Sequence, residues 1–379
     1  MITWTEDQRS LRESVEGLAD VLSDGHVEDD QRGAFPRAKW DRVAATGLLG
    51  LPVDAEHGGL GQDVLTTMHV LEGLGHASRD GGLSFSVSTH LASTATPLNR
   101  FGSDELKRRY LPRVAAGELI GAHAISEPSA GSDAMAMRTT AVRDGDHFVL
   151  NGSKAFVSNG PVADLVVVYA RTGPAGTAAG TTAFLVPRDT PGLGFGGPIA
   201  KMGLKTSPLC ELFLDDVRVP ADHVLGRVGS GFLVLDYVMK REILYSFVIN
   251  VGEMQRRLEQ VVDYAKNRAQ FGSTIGRFQS VQNLVVDMKV GTETARLWLY
   301  HTAQKLQSNK DTTIDVAISK LVASEAAVAS AMNAVQVFGG YGYMAEYGLE
   351  KDLRNAVAGT IYSGTTQIQQ GRIAAMLGL

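Results

Sequence analysis

Glu242 closes a charged triplet, Lys240-Arg241-Glu242, and the nine residues after it, Ile243 to Val251, carry no charge. A carboxylate at the border of a buried helix face can be desolvated and tuned for proton transfer, although the same charged triplet also reads as a solvated helix start. Other segments hold residues suited to a planar, phosphate-bearing ligand. Ile125-Ser126-Glu127-Pro128-Ser129-Ala130-Gly131-Ser132-Asp133 offers small side chains and backbone N–H groups that can lie against a polar ring or a pyrophosphate, although the same composition also makes an ordinary turn. In Lys154-Ala155-Phe156-Val157-Ser158-Asn159-Gly160, the Ser158 hydroxyl can donate to a ring nitrogen or merely cap a turn, and Phe156 taken singly reads as a core aromatic. Arg268, ahead of Ala269-Gln270-Phe271-Gly272, can pair with a diphosphate or face a helix C-terminus.

The elements that must position these residues change character twice along the chain. Leu11, Val15, Leu18 and Leu22 recur at helical spacing, Trp40 and Val43 continue the pattern to Gly47, and Val64, Met68, Leu71 and Leu74 make a further amphipathic face. Ser103 before Asp104 and Glu105 reads as an N-cap with acidic first-turn residues. Near residue 119 the pattern becomes β. Phe148 to Leu150, Asn151-Gly152 and Lys154 to Val157 predict a hairpin with a type I′ turn, and Leu165–Tyr169, Thr182–Val186 and Glu211–Leu214 predict short strands. Asp215-Asp216 reads as a strand-end turn, and Gly173 to Thr182 as a mobile surface loop. From about residue 232 helical spacing returns, with Val281 to Leu299 on one apolar face and an alanine-rich helix from Ile314 to Val337. The expected organisation is 1–118 helical, 119–228 β and 229–379 helical. The glycines of Gln336-Val337-Phe338-Gly339-Gly340-Tyr341-Gly342-Tyr343 follow a helix rather than a strand, so they are not a dinucleotide-binding fingerprint.

Taken together in order, the segments ISEPSAGSD, KAFVSN, RAQFG, QVFGGYGY and YSGT resemble the acyl-CoA dehydrogenase family over essentially the whole chain. The resemblance implies an α+β fold with an N-terminal helical domain, a middle β-barrel-like domain and a C-terminal four-helix bundle. It also implies FAD: Ile125 and Ser126 against the flavin ring, Gly131 and Ser132 on the pyrophosphate side, Phe156 in place of the family's tryptophan and Ser158 near flavin N5. Thr365 and Gln367 are implied contacts from the last helix. Arg268, Phe271, Gln279, Gln336 and Gly340 are implied to serve the FAD of a neighbouring subunit, which makes a homo-oligomer, dimer or tetramer, the expected state. The chemistry implied is removal of an α proton from an acyl thioester while hydride leaves the β carbon. The backbone N–H of Ser363 is implied to hold the thioester carbonyl.

The chain departs from the family where the base should stand. Ser363 occupies the place of the usual glutamate of the terminal segment, and a serine is no base without an activating partner. Some members carry the carboxylate on an earlier helix, ten residues before a glycine; counting back from Gly252 reaches Glu242. Lys240 and Ile243 replace the Asp and Arg common in members acting on CoA. The Ser-Gly-Thr segment with the helix glutamate is similar to prolyl-carrier-protein dehydrogenases of biosynthetic pathways. The expected partners are therefore an acyl-CoA or an acyl or aminoacyl carrier-protein thioester, with an electron-transfer flavoprotein or oxygen as acceptor. Tyr237, Tyr245 and Val248 are candidate determinants of acyl length. A monooxygenase or oxidase on the same fold, and a flavoprotein docking partner without catalysis, are the alternatives.

Composition sets the remaining bounds. A net charge of -5 gives no electrostatic case for nucleic acid, and the absence of a long wholly apolar run gives none for a membrane span. The acidic start lacks the order of a signal peptide, so a cytoplasmic protein is expected. The lone Cys210 reads as a packed residue, and the scattered His57, His69, His76, His90 and His301 suggest no metal site.

Overall fold

The computed structural model describes residues 2–174, 177 and 180–379; part of the expected surface loop from Gly173 to Thr182 lies outside them. Ten helices of eight residues or more appear among the described residues: α1 Glu6–Glu16, α2 Arg37–Ala44, α3 Val64–Ala77, α4 Gly81–His90, α5 Asp104–Ala115, α6 Gly231–Asn267, α7 Gln279–Gln307, α8 Thr313–Phe338, α9 Leu349–Ala358 and α10 Thr366–Met376. Side-chain caps start several of them. Thr5 and Gln8 form a capping box, Asp63 accepts from Thr66 N–H, and Ser103 accepts from Leu106 N–H.

Helix α3 is buried nearly all round rather than on one stripe, because it is enclosed by α1 and α6. Its crossing with α6 is made by glycines. A Cβ on Gly252 would stand 2.1 Å from the Glu72 carbonyl oxygen, and one on Gly75 would stand 2.1 Å from that of Ile249. The two backbones therefore touch, and this contact fixes where along α3 the N-terminal half of α6, with Glu242, comes to lie. Helix α8 is long and apolar enough by composition to cross a membrane, with mean hydropathy 1.3. Here its alanines and serines pack against α6 and α7, and Lys320 and Asp315 are buried along it.

The middle of the chain is one eight-stranded sheet: β1 Gly121–Ala124, β2 Thr140–Asp144, β3 His147–Ser158, β4 Leu165–Arg171, β5 Thr181–Pro187, β6 Leu193–Phe195, β7 Leu209–Pro220 and β8 Val224–Leu225. The order is β6-β7-β3-β2-β4-β5-β8, with β1 added beside β4; β1 and β2 run parallel to β4 and the other pairs are antiparallel. One face gathers Ala122, Ala124, Val166, Val168 and Phe184 into the core of the β domain. The other presents Leu165, Val167, Tyr169 and Leu185 to Leu235 and Val238 of α6.

Two expectations fail at one spot. Asn151-Gly152 is not a hairpin turn; β3 runs straight through it, and the hairpin of β2 with β3 turns at Gly145 instead. Asp215-Asp216 likewise lies inside β7 rather than at its end. The reason is a bulge: the β3–β7 register shifts between Leu150 and Gly152, where Asn151 and Asp216 exchange hydrogen bonds of 2.9 and 2.8 Å. Gly152 (φ 148°) is needed there because a Cβ would stand 2.6 Å from Thr139 Oγ1. Turn-forming residues thus serve an irregular strand pair, which local spacing cannot distinguish from a hairpin.

Candidate active site

Glu242 sits on α6 with only 12% of its side chain exposed, facing the β sheet. The Ser363 hydroxyl donates to its Oε1 at 2.5 Å. Two elements 121 residues apart therefore meet, and the carboxylate from α6 reaches the place where Ser363 stands. Ser363 has φ 54°, a left-handed conformation that costs a non-glycine residue about 1–2 kcal/mol. Its carbonyl accepts from the buried Gln369 side chain at 2.8 Å, which holds the turn, while its own N–H meets no backbone acceptor among the described residues.

On the other side of Glu242 lies His123 of β1, its Nε2 3.4 Å from Oε2. Burial pushes this imidazole below its ordinary value, and the opposing pull of the Glu242 charge does not restore it. Tyr169 of β4 is fully buried in the same interface, and burial together with the Glu242 charge raises its hydroxyl well above the ordinary range. The side toward α4 is aromatic. Phe85 packs on Tyr362 at 4.8 Å between ring centres, and Tyr362 stacks on Phe247 at 5.2 Å.

The segment from Ile125 to Asp133 leaves β1 and is held from beneath by a buried ion pair. Lys154 Nζ donates to Glu127 Oε1 at 2.9 Å and to the Ile125 carbonyl at 3.1 Å, and Glu127 also accepts from the N–H groups of Arg138 and Thr139 at 2.6 and 2.9 Å. Ala155 N–H donates to the Ser126 carbonyl, so Ser126 and Phe156 lie side by side. A second register shift between Lys154 and Val157 turns Phe156 outward with φ 57° and 67% exposure, while its neighbours stay buried. Phe156 is thus an exposed ring and not the core aromatic that its type suggests. Ser158 follows at the strand end, and Asn159 ties that end to the carbonyls of Ser86 and Gly121. A Cβ on Gly131 would meet nothing within 4 Å, so the loop has an open side. An exposed ring, a strand-end hydroxyl and an open glycine loop, with Thr365 capping α10 and Gln367 exposed after it, fit a flat ring joined to a phosphate.

Arg268, Phe271, Gln279, Gln336 and Gly340 do not join this group within one chain. Arg268 caps the C-terminus of α6, about 39 Å along the axis from Glu242 at 1.5 Å per residue. There Arg268 lies over the Tyr341 ring at 5.5 Å, and both line, with Gly340 and Phe338, a cavity of about 550 Å³. Phe271 is 94% exposed with φ 53°, and Gln279 and Gln336 are also exposed.

The acyl-length candidates sit elsewhere as well. Tyr237 and Tyr245 line a separate cleft of about 250 Å³ with Arg241, Asp63 and Gln307, and Val248 is fully buried. The residues near Glu242 without a role assigned from sequence are His123, Tyr169 and Tyr362, with Phe85 packed on Tyr362, together with Lys154 and Glu127 under the loop. A lone polar residue among the small ones of Gly121-Ala122-His123-Ala124 is the one visible signal.

Comparison with known proteins shows the family. Profiles for the N-terminal, middle and C-terminal domains of acyl-CoA dehydrogenase match residues 5–118, 122–217 and 229–378. The chain is 42% identical over 376 residues to an L-prolyl-[peptidyl-carrier protein] dehydrogenase of a Serratia species, covering 99% of this chain and 97% of that one. Among solved structures, the prolyl acyl carrier protein oxidase AnaB superposes with TM-score 0.96 at 38% identity over 100% of both chains. PigA with FAD and proline superposes with TM-score 0.96 at 39% identity over 100% of this chain and 99% of that one. With all three domains matched in order and the whole length covered, the chain belongs to the acyl-CoA dehydrogenase family.

Proposed function

We propose that this chain is a FAD-dependent dehydrogenase that introduces a double bond between the α and β carbons of a small aminoacyl or acyl thioester, with Glu242 as the base. The observation that carries the reading is the contact of Ser363 Oγ with Glu242 Oε1. It brings a carboxylate from α6 to the place where the terminal segment lacks one, which supports the assignment of Glu242 as the base.

Glu242 takes the α proton, and the Ser363 hydroxyl, bonded to Oε1, holds the carboxylate in place. The Ser363 N–H, without a backbone acceptor, is available to the thioester carbonyl as enolate charge develops. When bound, FAD supplies the two-electron acceptor for the hydride leaving the β carbon. Ser126, Phe156 and Ser158 would hold its ring, and Gly131 and Ser132 its phosphates. Arg268, Phe271, Gln279, Gln336 and Gly340 would serve the FAD of a second copy, which accounts for aromatic and cationic groups exposed so far from Glu242. The rings of Phe85, Tyr362 and Phe247 beside the base favour a short or cyclic acyl group. The names of the prolyl-carrier relatives favour a prolyl group on a carrier protein over a free acyl-CoA.

The test is anaerobic mixing of FAD-loaded protein with prolyl-carrier protein and with short acyl-CoA thioesters, following flavin absorbance. Bleaching by prolyl-carrier protein is expected, with a loss of about 10²–10⁴-fold in rate in Glu242→Gln. The variant Glu242→Gln/Ser363→Glu should recover part of that loss, because the two positions are in contact. Bleaching at the normal rate in Glu242→Gln would refute the assignment of the base. Re-oxidation by oxygen or by an electron-transferring flavoprotein then separates oxidase from dehydrogenase.

A further inference from the structure

The helix-facing side of the β sheet is apolar except around Glu242. Along β1, Ala122 and Ala124 point into the β-domain core, so the alternation of a strand sends His123 to the side of α6. Val167, its register partner on β4, lies in the apolar cluster that includes Leu235 and Val238 of α6. In that setting three buried polar atoms have no hydrogen-bond partner among the described residues: Glu242 Oε2, His123 Nδ1 and the Tyr169 hydroxyl. An unpartnered buried polar group costs about 1–3 kcal/mol, so a cluster of three calls for an explanation.

The imidazole is neutral here, since burial lowers it even against the carboxylate. A neutral ring carries one proton, on Nε2 or Nδ1. With a carboxylate oxygen 3.4 Å from Nε2, the tautomer with hydrogen on Nε2 is favoured, because the other would set a lone pair against a negative charge. That distance is longer than a formed hydrogen bond, and hydrogen bonds at catalytic groups commonly tighten only when substrate is in place.

We propose that His123 is a positioning residue for Glu242: Ser363 holds Oε1, and His123 steers Oε2, so that the carboxylate keeps one rotamer facing the α carbon. This rests on Glu242 being the base. His123 takes no proton in the reaction, since the α proton ends on Glu242. Its role is to keep the carboxylate from turning away from the Ser363 hydroxyl.

The experiment uses the FAD-loaded protein with prolyl-carrier protein, comparing His123→Phe, His123→Gln and Glu242→Gln. In His123→Phe the limiting rate of flavin bleaching should fall about 10-fold or more, the scale of one hydrogen bond to a charged group. The half-saturating thioester concentration, the FAD content and the thermal midpoint should stay near those of the wild type. His123→Gln, whose amide can donate from a similar position, should recover most of the rate. Crystal structures of wild type and His123→Phe give a readout that needs no turnover: the carboxylate of Glu242 should leave the Ser363 hydroxyl in the variant. A His123→Phe protein with unchanged limiting rate and unmoved carboxylate, beside an inactive Glu242→Gln, overturns the role of His123 and leaves the base standing. Equal losses in the Phe and Gln variants also overturn it. Normal bleaching in Glu242→Gln removes both readings together.

Discussion

Replacing Lys154 by Met should damage the fold and the FAD site together. The Lys154 side chain is 0% exposed and that of Glu127 4%, so the substitution keeps volume but leaves a buried carboxylate without its cation. Breaking a buried pair in this way costs about 3–5 kcal/mol. The N–H groups of Arg138 and Thr139 still reach Glu127, which places the expected loss at the lower end of that range. Against a total stability of about 5–15 kcal/mol, the variant should fold but sit near its threshold. In the intact protein burial pushes the Glu127 carboxyl up, but hydrogen bonds from Thr139, Arg138 and Lys154 more than offset it and hold it below its ordinary range. Without Lys154 part of that offset is lost, so the Glu127 carboxyl lies higher in the variant than in the intact protein. The destabilisation should therefore shrink as the pH is lowered, and adding Glu127→Gln should restore part of the stability. Urea denaturation followed by circular dichroism measures the first effect, and FAD retained after desalting measures the second, because Lys154 also donates to the Ile125 carbonyl at the root of the loop. A Lys154→Met protein with a wild-type urea midpoint and full FAD retention would refute the argument that this pair supports the loop.

Two further outcomes follow from the packing. Gly252→Ala should lower the thermal midpoint strongly or prevent accumulation of folded protein, since its Cβ would lie 2.1 Å from a backbone oxygen of α3 and neither helix can yield without moving Glu242. Stability should also fall as pH drops below about 6.5, the ordinary histidine value. Burial, with Lys351 and Arg79, lowers His26 to about 3; burial and Arg12 lower His69 to about 4; burial lowers His90 to about 4. The fold keeps these rings neutral while the unfolded chain protonates them, so their contribution is complete above 6.5 and is lost progressively toward pH 4. Denaturation midpoints measured across that range check the direction, and a midpoint unchanged from pH 7 to pH 4.5 would contradict it.

The sequence by itself determined the order of elements, because helical spacing in the two outer thirds and strand-like runs between them are local properties of the chain. Caps such as Ser103 were legible for the same reason. An uncharged stretch beside a charge drew attention to Glu242, the family resemblance added the glycine ten residues on, and Gly252 proves to be the point where α3 and α6 touch. The turn expected at Asn151-Gly152 misled because a bulge and a hairpin ask for the same residues, and only the partner strand tells them apart. Phe156 looked like a core aromatic because its exposure depends on a register shift against β7, which no property of Phe156 reveals. What tertiary structure alone decided is which side chains surround Glu242. His123, Tyr169 and Ser363 come from three separate elements, and they meet only because a sheet face, a glycine-seated helix crossing and a left-handed turn at Ser363 converge on Glu242. Each alignment follows from packing between elements distant in sequence, and such packing leaves no periodic trace in the chain.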